Sequence, residues 1–427
     1  MSRIATTRVI FVLCLVAALT ASAVHAQNAV PAVTLKGYAI LPADTFSDGP
    51  PSGAHIDPKS DLNGRTIPFN SQPVQGFSAI LPAANGHWLV MSDNGYGAKG
   101  NSADFLLRFD EVQIDWDKQT IQVVRFTTLS DPEKKIPFPI VHNDTRERLL
   151  TGADFDLESF RQAPDGTFWF GEELGPFLVH TDAAGKILEA PIPTPIPDVL
   201  KPYANGLTYI QSPDHPDLVQ LVDQKARQAA ANQRSSKGFE GMAINATGDK
   251  LYPLLEGAMT LDPIQNRLLI QEFDLKTKAY IGKYYFYAMS HPDHAIGDMT
   301  AINDTEYLVI ERDNGQGKDA KFKRIYKVDF SKAAPDGVLP KTLVVDLLAI
   351  KDPKGLTKAE EGAVGLGADF AFPFVTIEAV YPVDAQTLLV ANDNNYPFSS
   401  GRRPGKAPDD NEFILLTLPT VLNLAAK

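Results

Sequence analysis

An all-β chain assembled from repeated antiparallel hairpins is the fold class the sequence predicts, and three observations predict it. Turn formers are abundant, with 32 Pro and 30 Gly in 427 residues, which favours short strands over long helices. Five segments share one plan: a small or acidic residue, a short apolar run, a turn, a second apolar run and an acidic cluster. Within each segment two polar positions recur at a nearly fixed distance, with turn residues midway between them, as a hairpin repeated in one register requires.

The segments read GFSAILPAANGHWLVMSDNG from Gly76, DLESFRQAPDGTFWFGEELG from Asp156, GFEGMAINATGDKLYPLLEG from Gly238, GDMTAINDTEYLVIERDNG from Gly297 and TIEAVYPVDAQTLLVANDNN from Thr376. Ser78 precedes Asp93 by 15 residues, Glu158 precedes Glu173 by 15, Glu240 precedes Glu256 by 16, Asp298 precedes Asp313 by 15 and Glu378 precedes Asp393 by 15. The turns fall at Asn85-Gly86, Asp165-Gly166, Thr247-Gly248-Asp249, Asn303-Asp304 and Asp384-Ala385. Successive first positions lie 80, 82, 58 and 80 residues apart, which suits units of about four strands with variable loops. Repetition on that scale predicts a β-propeller of about five to six blades in one closed domain, with residues 27–70 or 190–235 able to hold a sixth. The alternative is a pair of β-sandwiches whose turn residues and carboxylates face solvent. Closure would join the chain ends in one blade, with Val33–Tyr38 beside Phe413–Leu418. Residues Asp223 to Gln233 read as a short surface helix. The Pro-rich run from Pro191 to Pro197 is excluded from a central strand because proline donates no ladder hydrogen bond.

Composition is that of a globular protein, 44% hydrophobic and 22% charged. The formal charge of −12 argues against nucleic acid as a partner. Residues 1–26 carry Arg3 and Arg8, an apolar run from Val9 to Leu19 and small residues ending at Ala26. This pattern is a signal peptide cleaved after Ala26, followed by one domain over 27–427 in the periplasm or outside the cell. The run is shorter than the ~20 residues a bilayer span needs, and the mature chain holds no other candidate. The only cysteine, Cys14, lies in this leader, so the mature protein has neither a disulfide nor thiol chemistry. Removing the leader, with two Arg and no acid, takes the charge from −12 to −14. A monomer is expected.

Equivalent positions of a propeller form rings around its axis, so nine acids in ten equivalent positions would crowd there. Crowded carboxylates repel and are costly to desolvate unless cations join them. Hard oxygen ligands without His or Cys suit Ca²⁺. The clusters Ser92-Asp93-Asn94-Gly95, Glu172-Glu173, Glu311 to Gly315 and Asn392 to Asn395 mix carboxylate with amide oxygen on turns, although one isolated Asp-Asn-Gly would be only a tight turn. Signatures of serine hydrolases, zinc peptidases, Walker-loop proteins and histidine acid phosphatases are absent from the sequence. His291-Pro-Asp-His294 reads as a solvated turn. Arg312 and the pair Arg402-Arg403 could clamp an oxyanion or form structural ion pairs.

Gly238-Phe-Glu-Gly-Met242, Ile310-Glu-Arg-Asp-Asn-Gly315, Asn392-Asp-Asn-Asn395 and the tail Gly401 to Glu412 occur in order, and together they resemble the bacterial phytase-like family described as having esterase-like activity of phytase. The resemblance covers about 70–415. It implies a secreted β-propeller that hydrolyses phosphate or other esters, with calcium neutralising the substrate. Matching positions for metal are Asp93, Glu158, Glu173, Glu240, Asp298, Glu311, Asp313, Glu378 and Asp393. The expected function is a Ca²⁺-dependent hydrolase of a small ester, above all a phosphate monoester, with Glu240 or Glu311 as base and Arg312 stabilising developing charge. Rival readings are a non-catalytic calcium-stabilised propeller that binds a polymer or protein, and a propeller lactonase.

Overall fold

The computed structural model describes residues 32–425. The signal peptide assigned to residues 1–26 lies outside the described residues.

Each of the five repeated segments becomes the inner hairpin of a four-stranded antiparallel sheet. The first blade is Phe77–Pro82, Trp88–Ser92, Arg108–Asp115 and Thr120–Thr128. The second is Leu157–Gln162, Phe168–Glu172, Phe177–Thr181 and Ile192–Pro193. The third is Phe239–Ile244, Lys250–Leu255, Arg267–Asp274 and Ala279–Ala288. The fourth is Ala295–Ala301, Glu306–Arg312, Lys323–Asp329 and Lys341–Asp346. The fifth begins with Ile377–Asp384, Thr387–Asn392 and Asn411–Thr417. Thr34–Leu41, from the other end of the chain, completes it by antiparallel pairing with Asn411–Thr417, in the region expected for closure.

The first strand of each blade lies against the first strand of the next, and that of the fifth returns to that of the first. This closed ring defines the propeller axis. First strands are buried almost throughout, which is why they read as apolar and small residues without alternation. The outer strand Thr120–Thr128 is mostly exposed or half-buried, with Ile121 its one buried residue. Apolar side chains of adjacent blades interdigitate between the sheets. Phe109, Phe160, Phe168 and Phe170 fill the space between the first and second blades, and Ile310, Ile325, Val380 and Val390 that between the fourth and fifth. At the inner turn of the first blade, Asn85 and Gly86 both take left-handed backbone angles, φ 59° and 74°, the conformation for which Asn-Gly is selected in tight turns.

Among the described residues neither candidate region forms a sixth blade. The first candidate region, 27–70, supplies Thr34–Leu41 to the fifth blade and, beyond it, the two-residue pairing of Phe46–Ser47 with Gln72–Pro73 and a single bridge between Ser52 and Phe69. The second region supplies the short edge strand Ile192–Pro193, where proline costs no ladder bond on its open side, and a helix over Gln224–Ala230. Asp223 caps this helix by accepting from Lys225 N.

Candidate metal-binding site at the propeller axis

The pairing of first and second strands is interrupted at the same place in all five blades: one first-strand residue is skipped in four of them, and two, Gly297 and Asp298 opposite Ile310, in the fourth. The irregularities fall between Phe77 and Ala79, Leu157 and Ser159, Phe239 and Gly241, Ile296 and Met299, and Ile377 and Ala379. A bulge re-aims the extra side chain out of the ladder. Ser78, Glu158, Glu240 and Glu378 occupy these places and turn toward one mouth of the axis, where the ends of the second strands bring Asp93, Glu173, Glu256 and Asp393.

The fourth blade departs from the expected register. Ile296 pairs with Glu311, as Ile377 pairs with Asn392, so the residues equivalent to Glu378 and Asp393 are Gly297 and Arg312. Asp298 and Asp313, matched to the register by spacing, are each one residue beyond it. A slip of one residue sends a side chain to the opposite face, and applying it to both positions preserves the 15-residue spacing. A Cβ at Gly297 would come within 2.0 Å of Ile377 O, so the closeness of the fifth blade leaves no room for a side chain there.

Asp298 accordingly lies outside the acidic mouth. It accepts from Arg161 Nη2 at 2.7 Å and from Met299 N at 2.7 Å, a buried ion pair that joins the second and fourth blades across the axis. Asp313 pairs with Lys323 Nζ at 2.9 Å and accepts from Lys321 N. Glu311 faces away as well and has a full set of donors: Tyr287 Oη at 2.7 Å, Ser290 N at 2.7 Å, His294 Nδ1 at 2.8 Å and Lys341 Nζ at 2.6 Å. Burial alone would raise its pKa, but the bonds from His294, Lys341 and Tyr287 outweigh burial and hold the carboxyl below its ordinary value. The metal assignments of Asp298, Glu311 and Asp313, and the assignment of Glu311 as base, are therefore corrected.

The remaining candidates converge. Asp93, Glu158, Glu173, Glu240, Glu378 and Asp393 line one cavity of about 300 Å³, joined by Asp156 and Glu256 and by the cations Arg312 and Lys237. Seven of the eight acids are buried and Asp93, at the rim, is half-buried. Three overlapping groups bring carboxylate oxygens within 4.8 Å of one another: Asp156, Glu158 and Glu173; Glu158, Glu240 and Glu378; Glu173, Glu240 and Glu256. Arg312 Nη2 donates to Glu378 Oε1 at 2.9 Å and lies 3.5 Å from Glu240 Oε1 and 3.6 Å from Glu256 Oε1. Lys237 Nζ pairs with Glu256. Backbone amides steady the rim, with Gly95 N donating to Asp93 Oδ1 at 2.9 Å and Asn395 N to Asp393 Oδ1 at 2.6 Å.

Two cations do not balance eight carboxylates. Burial, then the neighbouring acids Asp393 and Asp156, push Asp93 well above its ordinary pKa. Burial acts likewise on Glu158, with Asp156 and Glu240, and on Glu173, with Asp156 and Glu256. Asp393 is pushed up to about 8 by burial and then by Glu378. The guanidinium of Arg312 loses by burial but gains more from Glu378, Glu240 and Glu256, and its pKa rises.

The donor set fits a hard divalent cation. Every candidate ligand is an oxygen, and no His, Cys or Met lines the cavity. Asp156 Oδ1, Glu158 Oε2 and Glu173 Oε1 are buried without any hydrogen-bond partner, a state that costs free energy unless a cation meets them. Residues Asp93, Glu158, Glu173, Glu240, Glu378 and Asp393, with Asp156 and Glu256, are those that could hold a metal ion.

Asp156, Glu256 and Lys237 were not among the expected site residues. Glu256 was visible in the repeat, one residue late because its turn, Thr247-Gly248-Asp249, is longer. Asp156 stands where the first and third blades have Gly76 and Gly238, so alignment hid it as the start of a segment. Its equivalence shows in the shared bond pattern: Asp93 N donates to Gly76 O, Glu173 N to Asp156 O and Glu256 N to Gly238 O.

Five radial sheets closed by the joined chain ends, with buried acids at one axial mouth, make the protein an acidic-mouthed β-propeller. A family model described as "Phytase-like: Esterase-like activity of phytase" matches residues 72–396, and the chain belongs to that family. An "Uncharacterized secreted protein" of Arthroderma benhamiae is 24% identical over 186 residues, 39% of this chain and 36% of that protein, so the match spans about a third of the relative's length. Among solved structures, a luciferin-regenerating enzyme aligns with TM-score 0.39 and 12% identity over 93% of this chain and 97% of its own. A protein of unknown function from Dyadobacter fermentans aligns with TM-score 0.41 and 12% identity over 91% and 100%. The calcium-binding protein regucalcin from Agrobacterium tumefaciens aligns with TM-score 0.38 and 11% identity over 92% and 98%. Among the described residues, no helix is long and apolar enough to cross a membrane.

Proposed function

We propose that the protein is an exported, calcium-dependent ester hydrolase that acts as a monomer on small phosphate monoesters, with residues 1–26 as its leader and 27–427 as its single working domain. The observation that carries this reading is the set of three buried, unpartnered carboxylate oxygens inside overlapping acidic groups. The family's description as esterase-like supports ester cleavage, and the secreted relative supports export. Calcium held there would supply the positive charge that offsets the carboxylates and draws a phosphate group to a cavity that otherwise repels anions.

The chain's own groups then divide the work. Arg312 is fixed by Glu378, and its buried Nε has no acceptor, which leaves a donor for a substrate oxygen. Glu240 lies between Arg312 and two of the acidic groups. It takes a proton from the attacking water as the new P–O bond forms. The old P–O bond breaks, and Glu240 returns the proton to the departing alcohol. Glu240→Gln removes that proton acceptor while keeping the shape. Turnover of p-nitrophenyl phosphate in calcium is expected to fall by about 10²–10⁴-fold, and turnover at the wild-type rate would contradict the role.

A further inference from the structure

Two long connections between blades stand on the same face as the acidic cavity, because each leads into the start of a first strand. They run from the end of Thr120–Thr128 to Leu157–Gln162, and from Ile192–Pro193 to Phe239–Ile244. Phe138, Pro139 and Val141 of one, and Pro216 and Val219 of the other, line an apolar groove of about 310 Å³ with Lys99 at its side. Val141 and Val219 are 46% and 40% exposed, and Val222, on the same loop, is 97% exposed. Apolar surface concentrated in this way on a soluble protein marks a binding site more often than chance exposure.

The groove and the cavity are lined by neighbouring residues of the same two segments. Asp93, Asn94 and Gly97 line the cavity and Lys99, two residues on, lines the groove. Asp154 lines the groove and Asp156, two residues on, lines the cavity. Asp154 is bonded within the protein: it accepts from Val141 N at 2.7 Å, Thr151 N at 2.8 Å and Thr151 Oγ1 at 3.0 Å, and so ties the groove wall at Val141 to the segment that leads into the second blade. Charge narrows the occupant further. Arg312 and Lys237 are committed to glutamates, whereas Lys99 makes no ion pair among the described residues. Within the groove lining a ligand with many anionic groups would find one cation, Lys99, beside the carboxylate of Asp154. A ligand with one anionic group and an apolar remainder satisfies both surfaces.

We propose that the groove receives the apolar, ring-sized alcohol portion of an ester whose reacting group sits at the acidic cavity, so that the substrate class is an aryl or bulky alkyl monoester and not a polyphosphorylated polyol. This rests on the hydrolase reading above and names its substrate. Contact of a ring with Val219, Val141 and Phe138 removes apolar area from water on both sides, which favours a naphthyl over a methyl ester.

The test compares methyl phosphate, 1-naphthyl phosphate and inositol hexakisphosphate as substrates in calcium, together with binding of the non-hydrolysable 1-naphthyl phosphonate followed by its fluorescence. Wild-type protein and the surface variants Val219→Asp and Val141→Asp are used. The naphthyl ester is expected to exceed the methyl ester in kcat/KM by about tenfold or more, and each variant to weaken phosphonate binding by about tenfold. Phosphonate binding of wild-type strength in both variants overturns the groove assignment, whether or not any ester is cleaved. Preference for inositol hexakisphosphate overturns the substrate class while leaving the hydrolase reading intact. Groove-dependent binding without turnover of any ester supports the groove and overturns the hydrolase reading.

Discussion

At one end of the propeller axis the first strands and the loops that meet them gather eight carboxylates, seven of them buried, around two cations. At the other end the same strands present Leu81, Pro82, Ile244, Tyr381 and Pro382 around a pocket of about 330 Å³, with Arg161 at its edge bonded to Asp298. The far mouth is solved as a protein interior usually is, by apolar packing and by pairing each buried charge. The acidic mouth leaves carboxylate oxygens unpartnered although the fold offers an alternative a few residues away. The difference teaches that propeller closure does not require the acids. Their crowding is a local feature of one end, and it is intelligible if a cation completes it.

Arg161 gives the largest expected effect on the comparison. Its Nη2 donates to Asp298 and to Met299 O, and its Nη1 to Phe160 O, all within the protein interior. Arg161→Ala strands a buried carboxylate, and a loss of about 3–5 kcal/mol in urea unfolding is expected. The loss should be the same with calcium and with EDTA. A loss that disappears in calcium would show that the two mouths act as one site.

Asp110 provides a smaller and sharper contrast, because it is a buried carboxyl outside the acidic cavity. It is 2% exposed on the third strand of the first blade, and its Oδ1 has no partner. Burial pushes it up to about 7 from an ordinary 3.8, against a lowering by Arg108. Between those values the folded protein keeps a proton that the unfolded chain has released, so stability falls as pH rises from about 4 to about 7 and is level above. Asp110→Asn abolishes that dependence. A gain of about 2 kcal/mol over wild type is expected at pH 8 and none at pH 4, with urea unfolding as the measurement. An equal difference at both pH values would place the cost elsewhere.

The fold was legible because each inner hairpin carries its own turn chemistry and because the bulge repeats in every blade. Ser78 to Asp93 and Glu378 to Asp393 keep their spacing for that physical reason. The site was legible where side-chain direction follows position in the repeat, as for Glu158, Glu173, Glu240 and Glu378. It failed in the fourth blade, where Asp298 and Asp313 preserve the spacing but are both shifted by one, and a single-residue shift reverses the face. Glu311 looked like a ligand because Glu-Arg-Asp-Asn-Gly resembles the other clusters. Its partners Tyr287, His294 and Lys341 come from distant strands that no local pattern reveals. The Gly297 position is set by the backbone of the fifth blade, which is likewise a tertiary constraint.

Calcium binding tests the contrast between the two mouths most directly, measured by isothermal titration calorimetry on EDTA-stripped protein, wild type against Glu158→Gln. Glu158 belongs to two of the three acidic groups and carries an unpartnered oxygen. Saturable binding by the wild type, weakened by about tenfold or more in Glu158→Gln, is the expected result, since a charged oxygen ligand is replaced by a neutral one. Absence of binding by the wild type, or binding of equal strength in the variant, would contradict the assignment of the acidic mouth as a cation site.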